Sequence, residues 1–153
     1  MSTKWYDKLG VISIGVVNGG PEDGGIGDIK IDLWKLFLQH CHASCSPAVD
    51  HYALAIRTDG KYQKFGKEGI ERIRRSIVDR CIGAEVIIPE SVWRPKSRNE
   101  LRDYLAMQVK AALEACVARL RKDKERVDEV RLFEEVDAAL SRFRAIDYEV
   151  QRN

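Results

Sequence analysis

The sequence predicts an α+β fold: a small antiparallel or mixed β-sheet packed by an N-terminal helix and two long C-terminal helices. Three observations carry this. A β-branched run, VISIGVV, lies at residues 11–17, and two stretches between 52 and 88 alternate large apolar with small or polar residues. The last third repeats apolar residues at helical spacing.

Val11 to Val17 reads as a buried first strand because β-branched side chains suit a pleated surface and the run stops at Asn-Gly-Gly. Residues 18–28 hold five glycines and a proline and read as a loop. Trp34, Phe37, Leu38 and Cys41 then recur at helical spacing, which predicts a helix from about 30 to 43, ended between Ser44 and Pro47. Tyr52, Leu54 and Ile56 alternate with smaller residues up to Asp59-Gly60, and Lys61 to Phe65 follows. The Asp-Gly pair predicts a tight β-hairpin at that point. Lys67 to Arg80 is compatible with a short helix through Ile70, Ile73 and Ile77 or with a strand. Ile82, Ala84, Val86 and Ile88 alternate up to Pro89, a further strand. Ser97-Arg-Asn-Glu100 is a capping box, and Leu101, Leu105, Val109, Leu113, Cys116, Val117 and Leu120 trace one stripe behind it. Residues 123–127 are mostly charged and mark the link. Val130, Phe133, Val136, Leu140 and Phe143 give a last helix to about 146. The two long helices are expected to lie antiparallel and cover one sheet face.

A chain of 153 residues, 44% hydrophobic and 33% charged, fits a single domain over 1–153. At that size roughly two-thirds of the unfolded surface is buried, enough for a core that needs no cross-links. No apolar run reaches the length of a membrane span, and MSTKWYDKLG lacks a signal-peptide core and cleavage site, so a cytoplasmic location and no membrane partner are expected. Cys41, Cys45, Cys81 and Cys116 are expected to be reduced thiols. The net charge of +2 conceals a basic middle: residues 57–98 carry 11 Lys/Arg against 6 Asp/Glu, whereas 1–56 carry 4 against 6.

Four constellations could carry chemistry. The glycine loop after the first strand has a phosphate-cradle layout, but it lacks a Gly-Lys-Ser/Thr ending, and Glu22, Asp23 and Asp28 would repel phosphate. An acidic loop can instead dock a cationic partner. His40, Cys41, His42 and Cys45 offer zinc-ligand chemistry, yet on a helix His42 points away from the cysteines, so His51 or Cys81 would have to complete a site. Neither a metal nor any other cofactor is implied. Cys45, His51 and Asp50 supply the residue types of an activated thiolate, but neighbouring strand residues face opposite ways and Asp50 is badly placed to orient His51. Arg72, Arg74, Arg75, Arg80, Arg94, Lys96 and Arg98 around Trp93 could form a basic face for RNA or an acidic protein. The chain carries no RNP, KH or helix-turn-helix signature, which disfavours a nucleic-acid partner. HExxH and GxSxG are absent too, and no complete donor–acceptor–orienter set marks an enzyme.

VISIGVVNGG, GGIGD with KIDLWKLF, and the stretch VDHYALAIRTDGKYQKFGKEG resemble bacterial immunity proteins of polymorphic-toxin and contact-dependent growth-inhibition systems. IPESVW and LRDYLAMQVKAALEACVARL agree, so the resemblance spans nearly the whole chain. It implies a cytoplasmic, non-enzymatic protein that binds a cognate toxin domain and covers its active or substrate-binding surface. No functional residue carries over from it. The residues themselves nominate Glu22, Asp23, Asp28 and Asp32 as an acidic docking patch and Trp93-Arg94 as anchors, although Trp93, between Val92 and Arg94-Pro95, equally suits a lid over the core edge. An RNA-binding or adaptor role for 72–98 is the alternative. Inhibitors of nucleases are often acidic, and this near-neutral chain departs from that pattern.

Overall fold

The computed structural model describes residues 10–150; the signal-peptide question falls on residues outside that range. The chain runs β1 (Ile12–Asn18), α1 (Ile26–His40), β2 (His51–Thr58), β3 (Gly69–Ser76), β4 (Cys81–Ile88), α2 (Glu90–Trp93), α3 (Arg98–Lys122) and α4 (Glu129–Arg144). The fold is α+β around a four-stranded mixed sheet in the order β1-β2-β4-β3. β1 and β4 both pair parallel with β2, and β3 closes the far side antiparallel to β4.

One face of the sheet builds the core. Ile12 and Ile14, Tyr52, Leu54 and Ile56, and Ile82, Ala84, Val86 and Ile88 alternate onto it and are buried. α1 meets them with Ile26, Ile29, Leu33 and Phe37, and α3 with Leu101, Leu105, Val109 and Leu113. α3 starts where the sequence says: Ser97 Oγ accepts the Glu100 N–H, and the Glu100 carboxylate accepts the Ser97 N–H at 2.9 Å. α4 begins at Asp128, whose side chain caps the Arg131 N–H. Two expectations are corrected. α1 begins four residues before the predicted start and ends at His40. α4 does not lie on the sheet: α1 and α3 cover the face, and α4 packs on those two helices as a third layer.

The predicted hairpin at Asp59-Gly60 does not form. β2 already has β1 on one edge and β4 on the other, so neither edge is left for Lys61 to Phe65. Asp59-Gly60 instead opens a loop braced by other loops. The Asp59 N–H donates to Ile88 O, the Gly60 N–H to Gln63 O and the Tyr62 N–H to Gly19 O. Glycine is required at 60 by crowding, since a Cβ there would stand 2.6 Å from Gly20 N. The ambiguous stretch resolves as a strand, β3, and the hairpin of the fold joins β3 to β4 through residues 77–80, with Arg80 at φ 53°.

Where β1 meets β2, His51 is fully buried and Ser13 nearly so. His51 Nδ1 lies 2.7 Å from Gly10 O and Nε2 2.8 Å from Ser13 Oγ. A carbonyl can only accept, so Nδ1 carries the proton and Nε2 accepts from the serine hydroxyl. Burial disfavours the imidazolium and holds the His51 pKa below its ordinary 6.5. In the unfolded chain the ring titrates normally. As pH falls from 6.5 toward the depressed value, the unfolded state takes up a proton that the folded state resists, so stability is lost; above pH 7 the group contributes no slope. The melting temperature of the wild type should therefore fall more steeply from pH 7 to 5 than that of His51→Gln. Parallel pH profiles for the two proteins would remove this assignment.

Candidate partner-binding surfaces

The six nominated residues divide between two places. At the carboxyl ends of the parallel strands, the loops after β1, β2 and β4 converge, and Arg94 lies 3.4 Å from Glu22 and 2.8 Å from Glu90. Lys64 reaches Glu90 at 3.2 Å. Hydrogen bonds from Arg94, then Lys64, hold the Glu90 carboxyl below its ordinary range. Glu22, Arg94, Lys61, Tyr62 and Glu90 line a cleft of about 310 Å³, with charges largely cancelled within it. Asp23 faces inward at the start of α1, where its Oδ1 accepts the Gly25 N–H at 2.9 Å. Trp93 does not serve as an exposed anchor. Only 3% of it is exposed, its Nε1–H donates to Asp59 O at 2.8 Å, and the Arg94 guanidinium lies over its ring. It closes the top of the core under the loops.

Asp28 and Asp32 lie elsewhere, on α1 beside the segment that follows α4. With Arg98 and Tyr148 they line a cavity of about 520 Å³. The Tyr148 hydroxyl donates to Asp32 Oδ2 at 2.6 Å, and Arg98 lies over the Tyr148 ring. Burial, then the Asp32 carboxylate, pushes the Tyr148 hydroxyl pKa up. Asp32 is thus engaged in tying the tail to α1, and no continuous acidic patch joins it to Glu22.

The basic middle is likewise dispersed. Arg75 turns toward the end of α3 and pairs with Asp123 at 2.9 Å and Glu125 at 3.3 Å. Arg80 holds Asp50 at 3.0 Å and Pro47 O at 2.6 Å. Lys96 lies over the Tyr104 ring. These side chains leave the domain in different directions, against the single RNA-binding face the sequence allowed.

Nor do the cysteine–histidine groupings assemble. Among the described residues no three His, Cys, Asp or Glu side chains converge as a metal site. Cys41 is buried below α1, and burial pushes its thiol up to about 12. Cys45 bonds weakly to Ala43 O, and burial, then Glu135, raises its pKa, opposite to the shift an activated thiolate needs. His51 faces Ser13, not Cys45. All four cysteines are free thiols.

The surface that sequence reading missed is the sheet face turned away from the helices. Strand alternation and register place Ser13, Ala53, Gly83 and Arg74 in one row across it, and Gly15, Ala55, Glu85 and Arg72 in the next. A shallow groove of about 390 Å³ runs over Ala53, Ala55, Gly83 and Cys81, beside Arg74 and Glu85. One Glu85 oxygen lies 3.2 Å from Arg74 Nε and the other 3.7 Å from Arg57 Nε. At one end the loop after β2 closes the face: Ile87 is buried there and the Arg57 guanidinium lies over the Phe65 ring. Among the described residues no helix or strand lies over Gly15, Ala55, Glu85 and Arg72, whereas Ser13 and His51 on the same face are buried. The signal was present in the alternating small residues of HYALAIRT and CIGAEVII, but only the strand order makes them neighbours.

Against known proteins, the chain matches no family model, no curated protein and no solved structure.

Because Trp93 joins three loops to the core, its loss should be felt throughout the domain. Trp93→Ala is expected to cost about 3–5 kcal/mol by urea denaturation. Trp93→Phe, which keeps the ring but gives up the bond to Asp59 O, should cost about 1 kcal/mol. Indistinguishable midpoints for both variants and wild type would contradict the buried placement.

Proposed function

We propose that this chain is an immunity protein: it binds a cognate bacterial toxin domain in the cytoplasm and neutralises it by covering the toxin's active or substrate-binding surface, with no catalysis of its own. The observation that carries the reading is the uncovered face of a sheet whose middle strand is parallel to both neighbours. Parallel strands are ordinarily covered on both faces, and among the described residues helices cover only one. The floor of the uncovered face is Gly and Ala, shallow enough for a second protein to approach the backbone closely.

Further support comes from how the chemically capable groups are used. The His51 ring bridges Ser13 and Gly10, the buried thiols are held protonated, and Arg75 and Arg80 brace loops. These groups act within the fold, which leaves surface complementarity as the means of action. Occlusion by an interface of about 1,600 Å² is sufficient for tight inhibition when a few anchors are well packed.

Co-expression with the toxin domain encoded beside its gene tests the reading. The expected outcome is survival of otherwise poisoned cells and co-purification of a stoichiometric complex. Death of the cells at full expression of the folded chain, with no complex recovered, removes it.

A further inference from the structure

Within the neutralisation reading, on which this inference rests, the uncovered face can be assigned an occupant. We propose that it seats an acidic helical segment of the toxin domain, lying along the Gly–Ala trough with its carboxylates against an arginine rim.

Charge is the first argument. Among the described residues of this face Arg57, Arg72 and Arg74 surround the Glu85 carboxylate, so positive charge is left in excess after Glu85 is paired with Arg57 and Arg74. Arg72 and Arg74 are exposed, and Arg74 keeps 63% of its side chain in solvent. A partner surface complementary to this rim is acidic. The sign is opposite to the acidic patch nominated from the sequence, which the fold splits and neutralises.

Shape is the second argument. Gly83 has an internal reason to be glycine, because a Cβ there would stand 2.4 Å from Ala53 O. Gly15 has none. It is exposed, its register with Ala55 is regular, and a Cβ would meet nothing within 4 Å. A glycine inside a strand weakens it, and with no bulge or crowding among the described residues to explain it, close approach by a partner accounts for it. The trough spans β2, β4 and β3, two strand spacings or about 10 Å, which is the width of an α-helix with its side chains.

A strand is the less suitable occupant because both sheet edges are guarded. Lys30 Nζ occupies the β1 edge by donating to Ile14 O at 3.1 Å. The β3 edge carries a register irregularity between Ile70 and Arg72 and a run of charged residues. The face is open where the edges are not.

The test uses the full chain and the toxin domain encoded beside its gene. Gly15→Trp places an indole beside Ala55 at the edge of the trough, where a Cβ meets no atom within 4 Å, and the double variant Arg72→Glu/Arg74→Glu reverses the rim. Lys35→Glu on exposed α1 is the control. Both face variants are expected to melt within a few degrees of wild type and to bind the toxin at least about 100-fold more weakly, while the control binds as wild type does. Hydrogen exchange should show protection of one acidic helix in the toxin. If the toxin binds wild type and both face variants equally, the face assignment falls and the immunity reading stands. If wild type neither binds nor protects, both fall. Dimerisation abolished by Gly15→Trp would make the occupant a second copy of this chain. Rim-dependent retention of short single-stranded RNA would make it nucleic acid. Either result overturns the proposal.

Discussion

The parallel pairing of β2 on both edges organises the molecule. Parallel neighbours cannot be joined by a tight turn, so the chain must travel back along the sheet between them. From β1 to β2 it does so through α1. From β2 to β4 it goes by way of β3, laid at the far edge and turned back as a hairpin. Three strands therefore end on the same side, and their loops must share that space. They do so by backbone contact, with Gly60 against Gly20 and the Gly19 N–H on Thr58 O at 2.7 Å. Trp93 then fills the space beneath, with its indole N–H on the loop after β2. Once α1 and α3 have filled the core face, α4 has no sheet left to cover and becomes an outer layer.

The same constraint creates the asymmetry between the two faces of the sheet. A βαβ unit followed by a β-hairpin and helices places every helix here on one side, and no later element returns to the other. The exposed side must then be tolerable in water without becoming a sticky sheet. Small side chains achieve this, since Gly and Ala present little apolar area, and the charged Arg57, Glu85 and Arg74 lie across the end of the trough. A face so built presents a shallow trough with little apolar area.

Much of this fold was legible in local patterns. VISIGVV, the alternation through Tyr52 to Ile56 and through Ile82 to Ile88, the capping box at Ser97 and the two apolar stripes all formed the elements they announced, because each is decided by residues close in sequence. What failed depended on distant partners. Asp59-Gly60 has the chemistry of a hairpin turn, but whether a hairpin forms depends on a free strand edge, and β1 takes that edge from 40 residues away. β3 was ambiguous for the same reason: GIERIRRS has weak alternation and becomes a strand by pairing with β4. Of the nominated site, Trp93 between Val92 and Arg94-Pro95 reads as an anchor or as a lid over the core edge, and loops far away in sequence decide for the lid.

Charge is the clearest case of information that a linear reading averages away. The window 57–98 is basic overall, yet alternation sends Arg75 under the domain to Asp123 while Arg72 and Arg74, just before it, face the open trough. Adjacent residues in RIRRS therefore serve different surfaces. One arginine closes the sheet against α3; its neighbours set the sign of the exposed face. The acidic loop undergoes the opposite fate, with Glu22 drawn to Arg94, Asp23 to a backbone N–H and Asp32 to Tyr148. What the surface presents is the residue of these internal pairings, and among the described residues of the open sheet face that residue is positive.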